Sequence, residues 1–292
     1  MIKALVLDID GVIVGGTTGV NFPLPHPEVL AALKKIRASG IPICLCTAKP
    51  YFAILDIIKS AGLDNPHITE GGSVLINPID ATITQKHTID LALAVEIIEH
   101  YINHGVYVEL YTIDRYFIQK DQRCVITEQH TSILGRPPEL VASLVAQARE
   151  SEIVKIMPIA RDEVDKQRLT ELFESFKDTL TLNWGVHPAV MPLQFGIVTA
   201  PGISKERAAE AITDYLHIPL ADTLGVGDSM SDWQFIKLCG YGAAMGNASA
   251  ELKQLVLSKG TAHSFIAPSV EENGVLKVFD YFTKQLLLNK KP

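Results

Sequence analysis

The segment Ala4–Ile9, ALVLDI, constrains the fold of this chain more than any other. It is a continuous apolar run that an acidic pair, Asp8 and Asp10, brings to an end. A strand with one wet face alternates apolar and polar residues. A run without alternation belongs to a strand buried on both faces, as in a parallel sheet covered by helices. Ile41–Cys46 is a second such run. Between them, Val12–Pro27 is rich in Gly, Pro and Thr and reads as a loop or tight hairpin. Pro27–Ala38 places Val29, Leu30, Leu33 and Ile36 at helical spacing before Gly40. Ala53–Ala61 predicts a helix closed by Gly62, and His67–Ile76 a short, glycine-broken β segment. This alternation predicts an α/β fold with a Rossmann-like, doubly wound parallel sheet.

The rhythm then changes. Thr88–His104 reads as a long amphipathic helix, Val106–Tyr111 as an alternating strand, and Arg115–Gln119 as its partner across a turn. Pro137–Glu150 and Asp162–Lys177 read as helices. Ile153–Ile159, Thr179–Trp184 and Ala189–Gln194 read as strands. Such units suggest an α+β layer with one open sheet face. From Gly202 the α/β rhythm resumes. A helix follows Ser204, strands cover Thr223–Val226 and Gly240–Met245, and helices cover Asp232–Cys239, Ser249–Ser258 and Glu271–Leu288. The expected organisation is a core domain of residues 1–80 and 196–292, interrupted by an inserted α+β cap at 81–195. The last four residues, 289–292, read as a frayed tail.

Length and charge narrow the function. A chain of 292 residues with 47% hydrophobic content can bury a sizeable core. The net charge of −7, with no Lys/Arg run, argues against nucleic acid or an anionic membrane surface as partner. No stretch approaches the ~18 apolar residues of a membrane span. The N-terminus reads as a strand and not as a signal peptide. Cys44, Cys46, Cys124 and Cys239 form no CxxC pair and read as core thiols of a reducing compartment. A soluble, cytoplasmic protein is expected, with a homodimer left open. The nine histidines show no HxH or HxxxH spacing, which disfavours a zinc site.

Four segments carry candidate chemistry. In open α/β sheets the site collects at the carboxyl ends of strands. Asp8 and Asp10 lie two apart at such an end. Close carboxylates repel unless a cation is present, and an Asp can attack phosphorus while its neighbour moves protons. Thr47 ends the second strand, where a hydroxyl and a backbone N–H can hold a phosphate oxygen. Taken alone it reads more readily as a helix cap. Lys205, at a helix start, supplies a point charge suited to a phosphoryl group, although a lone Lys is ordinarily solvated surface. Asp228 and Asp232 straddle a strand end and a helix start, a spacing that suits Mg²⁺ and also suits the helix dipole.

Taken together, the strand-end DxD, the Thr after strand two, the Lys at a helix start and GDSMSD resemble the haloacid dehalogenase superfamily. HITEGGSVLIN, GISKERA and AAMGNASAELK are similar to stretches of its Cof-type, sugar-phosphate and sucrose-phosphate phosphatases. The resemblance covers 1–80 and 196–270, and the insert falls where this subgroup carries its cap. It implies Asp8 as nucleophile and Asp10 as general acid/base. It further implies Mg²⁺ held by Asp8, Asp10 through its main-chain carbonyl, and Asp228, with Asp232 as ligand or neighbour. Thr47, Ala48, Lys49, Lys205 and Asn247 would bind substrate or phosphate. Val12 stands where Thr is usual after DxDG, Ala48–Lys49 where Gly–Arg is common, Gly72 where Asn is common, and Ser231 where Asn precedes the last Asp.

The expected function is a Mg²⁺-dependent phosphatase acting on a small phosphorylated metabolite, a sugar phosphate by resemblance. A phosphomutase of the same superfamily and a non-catalytic phospho-ligand binding module are the alternatives. Lys49, Arg115, Arg123, Trp184 and His187 are the candidate leaving-group contacts, His187 foremost.

Overall fold

The computed structural model describes residues 1–287. The expected tail at 289–292 and the last residue of the expected C-terminal helix lie outside the described residues. The chain begins with β1 (Ala4–Leu7), α1 (Pro27–Ala38), β2 (Ile43–Leu45), α2 (Tyr51–Ala61), β3 (His67–Thr69), β4 (Val74–Asn77) and β5 (Thr82–Lys86). It continues through α3 (Leu91–Asn103), β6 (Val108–Tyr111), β7 (Tyr116–Gln119), α4 (Val125–Leu134), β8 (Glu139–Val141), α5 (Leu144–Arg149), β9 (Lys155–Ala160), α6 (Glu163–Phe173), β10 (Thr181–Val186) and β11 (Gln194–Thr199). It ends with α7 (Lys205–Tyr215), β12 (Thr223–Gly227), α8 (Met230–Ile236), β13 (Tyr241–Ala244), α9 (Ala250–Leu257), β14 (Ser264–Ile266) and α10 (Val275–Leu287).

The parallel sheet has the order β14-β13-β12-β1-β2, with β1 in parallel register to both β12 and β2. Both faces are covered, as the unbroken apolar run of β1 requires. Leu5 and Leu7 pack with Leu33, Ile54 and Phe279 on one side. Val6 packs with Ala209, Ile212 and Phe235 on the other. A crossover therefore departs from each side of β1, and the three central strands end side by side at one edge of the sheet. No described helix is long and apolar enough to cross a membrane.

A six-stranded sheet, order β10-β11-β9-β6-β7-β8, forms the second layer, and β3-β4-β5 a third, smaller sheet. β5 pairs with β4, while β11 pairs with β9 and β10, so that pairing reaches past residue 195 to Thr199.

The structure corrects four local expectations. The face of the six-stranded sheet expected to be open is buried. Val108 and Leu110 pack on the helices with Tyr101 and Leu169, whereas Tyr111 packs on the opposite side with Phe195 and Ile197. Pro137–Glu150 is not one helix. Glu139–Val141 pairs in parallel with β7, and Ser143, whose Oγ accepts from Ala146 N–H, starts α5 afresh. Ala189–Gln194 is not a strand. Pro188 and Pro192 lack the N–H a ladder needs, and a 3₁₀ turn at Pro188–Val190 fills the space before β11. Of the four cysteines, Cys124 is exposed and the other three are buried.

Leu33 is fully buried where α1 packs on β1. Leu33→Ala should lower unfolding free energy by about 2–5 kcal/mol in urea titration, the usual cost of a core cavity. A loss below about 1 kcal/mol would contradict this packing.

Candidate active site

Backbone pairing sets the positions of the site. Asp8 N–H donates to Val226 O at 3.0 Å, and Cys46 N–H donates to Leu7 O at 2.8 Å. The residues just beyond β1, β2 and β12 therefore share one crevice. Asp8, Asp10, Thr47, Ala48, Lys49, Lys205 and Asp228 line a cavity of about 100 Å³ there, roofed by the six-stranded sheet.

Lys205 Nζ sits between two carboxylates, 2.8 Å from Asp8 Oδ1 and 2.6 Å from Asp232 Oδ1. The other oxygen of Asp232 accepts the Asp228 and Ser229 N–H groups at 3.0 Å and the Ser229 hydroxyl at 2.9 Å. Asp232 is fully buried and both its oxygens are used, which fixes the turn that presents Asp228. Asn247 Nδ2 donates to Asp228 Oδ2 and to Gly11 O, each at 3.0 Å. Gly11 has φ +79°, and a Cβ there would lie 1.9 Å from Asp228 Oδ2. The glycine after DxD is thus required both by its backbone and by the neighbouring carboxylate.

Asp10 faces two cations or donors. Lys49 Nζ lies 2.7 Å and His187 Nε2 3.1 Å from its Oδ1. His187 Nδ1 accepts the Ala189 N–H at 3.1 Å, so the ring carries its proton on Nε2, toward Asp10. That contact lies off the line of a good hydrogen bond. Thr47 is not a helix cap. Its Oγ1 accepts Lys49 N–H at 3.1 Å in a tight turn, leaving its hydroxyl proton free to donate. Ala48 O accepts Lys155 Nζ at 2.8 Å.

The electrostatics are asymmetric. Burial pushes Asp8 up to about 7, reinforced by Asp232 and Asp10 and opposed by Lys205. Burial, Asp232 and Asp8 also push Asp228 well above the carboxylate range. Burial acts the same way on Asp10, but Lys49 and His187 outweigh it and hold Asp10 below its ordinary value. Burial would lower Lys205, yet Asp232 and Asp8 hold it well above its ordinary value. Four carboxylates face two ammonium groups, and one oxygen from each of Asp8, Asp228 and Asp232 lies within 4.8 Å of the others. A divalent cation matches that excess of negative charge and these hard oxygen donors.

The remaining expectations separate. Trp184 lines the cavity but donates its Nε1–H to Thr170 Oγ1 at 3.1 Å. Arg115 pairs with Glu139 and Arg123 with Glu128 on exposed surface, and neither lines the cavity. Sequence reasoning missed two buried groups. Lys155 of β9 meets Glu70 Oε2 at 2.5 Å and lies over the Tyr111 ring at 3.8 Å. Burial pushes Glu70 up and Lys155 down, each against their mutual attraction. Glu109 of β6 accepts from Tyr111 OH at 2.5 Å and contacts His130 Nδ1 at 2.8 Å. A single charge inside an apolar strand, as in KIMPIA and VYVELY, was the available signal.

The family description of haloacid dehalogenase-like hydrolases matches residues 5–279. The chain belongs to that family. Phosphatase YwpJ of Bacillus subtilis (strain 168) is 23% identical over 270 residues, covering 87% of this chain and 92% of the relative. A haloacid dehalogenase-like hydrolase from Bacteroides thetaiotaomicron superposes with TM-score 0.80 at 15% identity, covering 96% of this chain and 99% of that one. The sugar phosphatase BT4131, of subclass IIB of the superfamily, superposes with TM-score 0.77 at 21% identity, with 96% and 99% covered. The family's hydrolase fold with its cap is therefore the fold of this chain.

Asp8 is raised in the folded state, so its ionisation costs stability as pH rises from the unfolded value near 4 to about 7. Below that window both states are protonated, and above it the loss is complete. In EDTA, thermal melts at pH 5 and pH 8 should show Asp8→Asn gaining on the parent as pH rises. A difference that does not change with pH would count against a raised Asp8.

Proposed function

We propose that this chain is a Mg²⁺-dependent phosphatase that hydrolyses a small phosphate monoester through an aspartyl-phosphate on Asp8. One observation carries the reading. Asp8 lines the cavity, held by Lys205 and beside Asp228, with a second carboxylate, Asp10, two residues on. Phosphatase is also the printed name of several relatives, among them a pyridoxal phosphate phosphatase of Escherichia coli (strain K12) at 22% identity. The sugar phosphate expected from sequence has its parallel in BT4131.

Asp8, Asp228 and the main-chain carbonyl of Asp10 would hold the metal. Asp232, with both oxygens engaged, serves instead to fix Lys205 and the Asp228 turn. The cation, when bound, neutralises phosphoryl charge and keeps Asp8 ionised. One Asp8 oxygen attacks phosphorus. The P–O bond to the alcohol breaks, and its electron pair goes to the alcohol oxygen, which takes a proton from Asp10. Asp10 then removes a proton from water, which attacks the phosphorus and releases phosphate and the free Asp8 carboxylate. Lys205, Lys49 and the Thr47 hydroxyl bind phosphoryl oxygens, whereas the Thr47 N–H is already given to Ile68 O at 3.0 Å. Phosphate competes with Asp10 for Lys49, and drawing that cation away lets Asp10 hold the proton it must donate.

Phosphate release from acetyl phosphate and a panel of phosphate esters should require Mg²⁺ and stop in EDTA. Asp8→Asn should abolish turnover, and Asp10→Asn should lower kcat by about 10²–10⁴. Turnover that survives Asp8→Asn would overturn the covalent route.

A further inference from the structure

Resting on the phosphatase reading, we infer that the roof of the cavity selects a mostly apolar leaving group carrying a single hydrogen-bonding atom, which His130 reads. The cavity has two unlike ends. Its floor is charged, with Asp8, Asp10, Lys49, Lys205 and Asp228. Its roof comes from the buried face of the six-stranded sheet and from α4, and presents Ile133, Leu134, Met157, Phe195 and Ile197.

Apart from the Asn183 Nδ2 at the rim, the polar groups that reach the roof are already engaged. Lys155 Nζ is held by Glu70 and Ala48 O. Trp184 Nε1 is held by Thr170. Asn183, at the half-buried rim, accepts from Gln234 Nε2 at 3.3 Å. His187 Nε2 faces Asp10 on the floor side. A polyol placed under this roof would give up the water around most of its hydroxyls without gaining a partner, which is strongly unfavourable. The roof therefore discriminates against sugars by what it lacks.

Inside the rim, His130 is the exception. It is buried in α4, lines the cavity and packs against Phe195 at a centroid distance of 4.9 Å. Its Nδ1–H is fixed on Glu109 Oε2 at 2.8 Å. Glu109 is fully buried and also accepts from Tyr111 OH at 2.5 Å and Tyr107 OH at 3.1 Å. Three donors thus hold one carboxylate, and that carboxylate sets the orientation and tautomer of the ring. Nε2 is left without a partner among the described residues. A buried ring oriented this tightly, with one free nitrogen in an apolar wall, is suited to a specificity contact.

The test compares three esters of one carbon skeleton: propyl phosphate, 3-hydroxypropyl phosphate and glycerol 3-phosphate. Acetyl phosphate, whose leaving group is small, reports whether phosphoryl transfer occurs at all. The expected kcat/KM for either of the first two exceeds that for glycerol 3-phosphate by at least about tenfold. The 3-hydroxypropyl ester should exceed propyl phosphate by about fivefold, a ratio that falls to about one in His130→Ala and is partly restored in His130→Gln. Glycerol 3-phosphate turned over as well as propyl phosphate, with acetyl phosphate hydrolysed normally, overturns the inference and leaves the phosphatase standing. Acetyl phosphate that is not hydrolysed by the unmutated protein removes the phosphatase reading, and the substrate assignment with it.

Discussion

The contact on which the site depends is the ammonium of Lys205 between Asp8 and Asp232. It joins β1, the start of α7 and the first turn of α8, three elements far apart in sequence. Without that charge, two buried carboxylates would face each other in a low-dielectric crevice, and one would be forced to take a proton. With it, Asp232 can give its second oxygen to the Asp228–Ser229 backbone, and Asp228 is turned toward Asp8. One cation thus positions both Asp8 and its acidic neighbour Asp228.

The same balance explains why Asp8 and Asp10, two residues apart, behave oppositely. Asp8 shares its one cation with Asp232 and stays high, at about 7. Asp10 has Lys49 and the insert's His187 on one oxygen and is driven low. That order is the reverse of what an attacking Asp8 and a proton-donating Asp10 require. A cation beside Asp8, together with a phosphate drawing Lys49 from Asp10, would invert it. Because His187 belongs to the six-stranded layer, the seating of the roof acts directly on Asp10. Lys155, bridging β9 to Glu70 and Ala48 of the core, holds that roof in place.

Much of this was legible in sequence because each motif is local. The unbroken run at Ala4–Ile9 demanded burial on both faces, and strand polarity then placed Asp8, Thr47 and Asp228 at one edge. The pairing of Asp232 with Lys205 was not legible, since 27 residues separate them and either could be an ordinary surface charge. The roof was harder still. β8 forms through a parallel pairing with β7 that no local pattern announces, and α4 passed unnoticed between turn-like residues. The expected open face was wrong because alternation shows that a strand has two unlike faces, and cannot show that the second is covered by another layer. Glu109 and Lys155 are charges on that covered face, which explains both their burial and their tight pairing.

The central claim is that phosphorus becomes bonded to Asp8. Acid quenching during turnover with Mg²⁺, followed by peptide mass analysis, tests it most directly. The account predicts a phosphoryl group on the peptide containing Asp8, absent in Asp8→Asn and accumulating in Asp10→Asn, where water is no longer activated. Steady phosphate release with no label on that peptide at any quench time, in either protein, would contradict it.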